Sequence, residues 1–113
     1  MARISTHVLD TSRGAPAASV IVELRHAGEL VRRATTNADG RTDEPLLADE
    51  RIATGVYELT FHVGGYFRQA GVAVTEPPFL DHVVIRFGVS DPAGHYHVPL
   101  LVSPYGYSTY KGS

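Results

Sequence analysis

Short runs of β-branched and aromatic residues recur along the chain between clusters of Gly, Pro, Asn and Asp, and within them apolar and polar positions alternate. A period of two belongs to strands with one buried face, and its repetition at short spacing predicts an antiparallel all-β domain. The run 3–9 is the first strand, ended by the turn formers Asp10, Ser12, Gly14 and Pro16. In 19–26, Val20, Val22 and Leu24 share one face, and Ala27-Gly28 makes a tight connection to 29–36, which predicts a hairpin. Asn37-Ala38-Asp39-Gly40 is a turn that presents Arg41 just beyond it, because Asn, Asp and Gly tolerate the positive φ such turns demand. After an irregular stretch over 42–54, the run 55–63 alternates Tyr57, Leu59, Phe61 and Val63 with polar partners. The segment 64–71 breaks the period and has glycine at both ends, so it is the one place where a short helix is expected. The runs 82–89, 95–103 and 106–112 read as the last three strands, for a total of about seven or eight.

Composition narrows the classes. With 113 residues, no internal repeat and no linker-like stretch, the chain is expected to form a single domain over 1–113 around one core. Ten basic and twelve acidic residues leave a formal charge of -2, and the longest basic cluster is the pair Arg32-Arg33, so nucleic acid is not an expected partner. No cysteine is present, which excludes disulfides, thiolate metal sites and a cysteine nucleophile. No run approaches the ~20 apolar residues that span a bilayer, and the first residues lead straight into a strand pattern without an apolar leader, so no membrane association and a cytoplasmic location are expected.

Alternation also sorts the candidate chemistry onto faces. Ile4, Thr6 and Val8 fall together, with Ser5, His7 and Leu9 opposed; Tyr96, Val98, Leu100 and Val102 fall together, with His95, His97, Pro99, Leu101 and Ser103 opposed. Near the chain end Ser108, Tyr110 and Gly112 share one face and Thr109 and Lys111 the other. Taken singly, a strand histidine is usually a surface or structural residue, and an arginine after a turn is usually solvated. The pair His95 and His97 has metal-ligand spacing, but no further ligands are apparent, and no metal is expected. A G-x-S-x-G elbow and a glycine-rich phosphate loop are both absent, which favours water activated by histidine over a covalent nucleophile.

Ile4-Ser5-Thr6-His7-Val8-Leu9-Asp10, Gly40-Arg41 and the whole stretch from Tyr96-His97-Val98-Pro99-Leu100-Leu101 through Ser103-Pro104-Tyr105-Gly106-Tyr107-Ser108-Thr109 to Tyr110-Lys111-Gly112-Ser113 resemble the 5-hydroxyisourate hydrolases, the enzyme branch of the transthyretin-like family. The likeness spans nearly the whole chain. It implies a transthyretin-like antiparallel β-sandwich of about eight strands with one short helix. It further implies a homotetramer built by joining edge strands, with active sites at subunit interfaces, and a small-molecule substrate, 5-hydroxyisourate. The implied reaction is hydrolysis of a ring amide in that product of urate oxidation, giving 2-oxo-4-hydroxy-4-carboxy-5-ureidoimidazoline, a step of purine catabolism that needs no cofactor.

Carried over residue by residue, the resemblance makes His7, Arg41, His97 and Ser113 the catalytic set, with His7, Arg41 and Tyr110 contacting substrate. Either histidine could accept the proton from water, the other orienting it or protonating the departing nitrogen, while Arg41 offsets charge developing on oxygen. Ser113 offers its hydroxyl and a chain-terminal carboxylate. The terminal tetrapeptide departs from the family's usual Tyr-Arg-Gly-Ser at Lys111, which keeps the charge but not the planar donor fork; alternation turns it away from Tyr110. The alternative is a transthyretin-like ligand-binding protein without hydrolase activity, against which the polar residues His7, His97 and Tyr110 argue.

Overall fold

The computed structural model describes residues 1–113 as two packed β-sheets and one short helix. Nine strands run β1 (Ala2–Asp10), β2 (Ala15–Pro16), β3 (Ile21–His26), β4 (Glu29–Thr35), β5 (Leu47–Asp49), β6 (Gly55–Phe61), β7 (Val83–Val89), β8 (His95–Ser103) and β9 (Gly106–Thr109), with α1 (Val63–Gln69) between β6 and β7. One sheet has the order β2-β1-β8-β9, with β5 also paired to β1; the other has the order β4-β3-β6-β7. The seven longer strands follow the alternating runs in the sequence. The two short ones, β2 and β5, lie in stretches dominated by turn formers and Pro45, where two or three paired residues leave no periodic signal.

Between the sheets lies one cluster of 22 buried apolar residues. β1 contributes Ile4 and Val8, β3 contributes Val22 and Leu24, β6 contributes Tyr57, Leu59 and Phe61, and β8 contributes Val98, Leu100 and Val102. Each set is one face of its strand, as alternation predicts, while Glu23 on β3 and Pro99 on β8 are buried on the opposite face. Two polar side chains on the inner face of β1 are matched there: Thr6 Oγ1 donates to the Val98 carbonyl at 2.7 Å, and the Asp10 carboxylate accepts from Tyr66 Oη at 2.7 Å. In α1, Val63, Tyr66 and Phe67 form the i, i+3, i+4 stripe that faces the core. The helix begins one residue earlier than the glycine-bounded segment suggests and ends where Gly71 takes φ +79°, with the Val72 amide donating back to Phe67.

The ladder between β1 and β8 is parallel, in a molecule whose other strand pairs are all antiparallel. It pairs Ser5 with His97 and His7 with Pro99, which brings the motif near the start of the chain beside the motif near its end.

Candidate active site

β1 and β8 place Ser5 and His97 side by side on the face turned away from the core, and both are half-buried. Ser5 Oγ lies 2.9 Å from His97 Nδ1. Behind the ring, the Gly112 amide donates to the His97 carbonyl at 2.8 Å. A Cβ on Gly112 would sit 2.6 Å from His97 Cδ2, so only glycine lets the chain lie so close. His97 opposes Gly112 in the same register that pairs Leu100 with Thr109. Pro99, opposite Tyr110 in that register, has no N–H to donate, and β9 ends at Thr109.

The turn after β4 delivers Arg41. Asn37 Oδ1 accepts from the amides of Asp39 at 2.9 Å and Arg41 at 3.2 Å, and the Asn37 amide donates to the Arg41 carbonyl at 2.7 Å. Gly40 has φ +76°, and a Cβ there would lie 2.3 Å from the Val8 carbonyl oxygen; its own carbonyl accepts from the Val8 amide at 2.8 Å. Arg41 thereby bridges to His7. His7 Nε2 lies 2.8 Å from the Asp39 carbonyl oxygen. A carbonyl can only accept, so Nε2 carries a proton and Nδ1 holds the lone pair of neutral His7.

A cleft of about 320 Å³ opens on this face, lined by Arg3, Ser5, Arg41, His97, Ser113 and their neighbours. Its lining is polar and carries the guanidinium groups of Arg3 and Arg41; Asp43, the one acidic side chain on it, accepts from Asn37 Nδ2 at 3.0 Å. Burial, then the charges of Arg41 and His7, hold the His97 imidazole below the ordinary histidine value. It is therefore a neutral base over a wider range of pH than a free histidine. No three histidine or carboxylate side chains converge in metal-binding geometry. What the arrangement can do is accept a proton at an imidazole beside a fixed guanidinium, which is the chemistry of water attack on a carbonyl.

Of the residues singled out in the sequence, Arg41, His97 and Ser113 line this cleft, and His7 adjoins it through its bridge to Arg41. Tyr110 stands apart within one chain. It borders a separate cleft of about 260 Å³ with Ile85, Phe87, Tyr96, Val98 and Lys111. Lys111 also lies off the histidine cleft, with Nζ 5.2 Å from the centre of the Tyr96 ring. Sequence reading did not single out Ser5, Arg3 or Asp43. Alternation does put Ser5 on the His7 face, but its contact with His97 depends on the parallel register, which no local pattern announces.

Comparison with known proteins is consistent over the full length. A family model described as the HIUase/Transthyretin family matches residues 4–112. The "5-hydroxyisourate hydrolase 2" of Rhizobium meliloti (strain 1021) is 54% identical, over 98% of this chain and 96% of its own. The solved structure of Klebsiella pneumoniae 5-hydroxyisourate hydrolase superposes with a TM-score of 0.86 at 37% identity, covering 100% of both chains. Transthyretin from Sparus aurata superposes with a TM-score of 0.81 at 24% identity, over 97% of this chain and 96% of its own, a likeness of fold.

Proposed function

The chain belongs to the HIUase/transthyretin family, and on that footing we propose that it is a 5-hydroxyisourate hydrolase working in urate catabolism at the cleft of His97, Arg41 and Ser113. The observation that carries this reading is a half-buried imidazole, held neutral, in one polar cleft with a guanidinium positioned by a rigid turn. A hydrophobic carrier site would present neither group.

In this reading His97 takes a proton from water as its oxygen bonds to the ring carbonyl carbon. Such general-base assistance contributes roughly 10²- to 10⁴-fold. Arg41 stabilises the charge that gathers on the carbonyl oxygen. The carbon–nitrogen bond then breaks, and the proton passes from the imidazolium to the departing nitrogen. The Ser113 hydroxyl orients the bound ring. His7, tied through Nε2 to the Asp39 carbonyl and bridged to Arg41, fixes Arg41. The test is the ultraviolet absorbance decay of freshly generated 5-hydroxyisourate, which the purified protein is expected to accelerate; decay at the spontaneous rate would sink the assignment.

We further propose a homotetramer whose interfaces complete these sites, and the whole chain as one domain. Support comes from β7 and β9, which end their sheets side by side, and from Phe79, Tyr105, Tyr107 and Tyr110, which stand exposed near them. Edge pairing would satisfy both strand edges and cover these rings. Native mass at micromolar concentration is expected to be four times that of the chain, and a monomer would refute it.

A further inference from the structure

Ser5 and His97 are 92 positions apart in sequence, yet the parallel ladder pairs them directly, and Oγ meets Nδ1 at 2.9 Å. The imidazole is constrained on two sides: Ser5 holds Nδ1, and the Gly112 backbone presses on Cδ2 so closely that no Cβ fits between them. With Nδ1 engaged, Nε2 is the nitrogen left for the cleft that His97 lines.

The two histidines differ in what fixes their protons. His7 bonds a carbonyl, which dictates its tautomer. His97 bonds a hydroxyl, which can donate or accept, so the surroundings must choose. Arg3 and Arg41 line the cleft, with Asp43, which accepts from Asn37, on the same wall, and among the charges of that wall it is the Arg41 guanidinium that acts on His97. Positive charge at the wall disfavours an N–H dipole pointing into the cleft and favours a lone pair there.

We propose that Ser5 is a positioning residue that accepts the Nδ1–H of His97, so that Nε2 presents its lone pair to the cleft. This form is the minor one of a free imidazole and the one a base acting through Nε2 requires. The catalytic consequence rests on the hydrolase reading; the proton's location does not. Ser5 also borders the cleft, so contact with substrate is the competing role.

The experiment compares wild type, Ser5→Ala and Ser5→Thr in two ways. Nitrogen-15 NMR of the substrate-free protein is expected to place the His97 proton on Nδ1 in wild type and Ser5→Thr, and to show it moved toward Nε2 in Ser5→Ala. Turnover of 5-hydroxyisourate by Ser5→Ala is expected to lose about fivefold to tenfold in kcat, with KM within about twofold, and Ser5→Thr to restore it. A wild-type proton on Nε2, or Ser5→Ala unchanged in both tautomer and kcat, would overturn the proposal. So would a loss confined to KM, which marks a substrate contact instead. An inactive wild type whose proton sits on Nδ1 and moves in Ser5→Ala would overturn the hydrolase reading while supporting the role of Ser5.

Discussion

At the scale of single residues, the site depends on what glycine leaves out as much as on what side chains supply. Gly112 adjoins the His97 ring, and a Cβ there would lie 2.6 Å from Cδ2, closer than side chains tolerate. Gly112→Ala must therefore push the ring out of place, while the backbone there needs no positive φ and nothing in the core is disturbed. Turnover is expected to fall by at least about tenfold, since a catalytic group misplaced by a fraction of an ångström loses most of its advantage. The thermal midpoint is expected to change by less than about 3 °C. Unchanged turnover would mean that the ring has room to move, or that His97 is not the base.

At the scale of elements, the β3–β4 hairpin is turned by Ala27 at φ 52° and Gly28 at φ 80°, the two positive angles of a type I′ turn. Ala27 bears the strain of a Cβ in the left-handed region, and asparagine relieves it. Ala27→Asn is expected to stabilise the protein by about 0.5–1 kcal/mol, read as a shift of the urea midpoint at constant slope. A lower midpoint would show that Ala27 makes contacts worth more than the turn strain. This hairpin was legible in the sequence, as were the faces of β1, β6 and β8 and the short helix, because each is written in local periodicity or turn chemistry. The turn 37–40 was legible for the same reason, and with it Arg41. The pairing of β1 with β8 was not, since no local signal tells a strand which distant partner it will meet. Ser5 was missed as a result, and Tyr110 was placed with the histidines although, within one chain, it borders another cleft.

At the scale of the whole molecule, buried Glu23 ties the β4-β3-β6-β7 sheet together. It accepts from His62 at 3.1 Å, from Arg33 at 3.2 Å and from Arg25 at 3.3 Å, joining β3, β4 and the junction of β6 with α1, where His62 stacks on His82. The His62 hydrogen bond, aided by Arg25 and opposed by burial, holds the Glu23 carboxyl below its ordinary value of 4.5. A carboxyl so depressed contributes stability above the unfolded value, and the contribution is lost as pH falls through the folded one. Stability of the wild type is thus expected to drop as pH goes below 4.5. Glu23→Gln, which cannot titrate, is expected to lose less across the same window. Urea midpoints measured through the acid range check this, and parallel curves would discount the clamp. A different consequence follows from the β1–β8 ladder. Residues 21–89 contain every strand of the β4-β3-β6-β7 sheet, so that layer can close while the chain is still being synthesised. Thr6 must wait for Val98, 92 positions later. β1 therefore leaves the ribosome with only the short strands β2 and β5 to pair with, and the edge that meets β8 stays open for most of translation, which makes the nascent protein most prone to aggregate at the segment that later carries its chemistry.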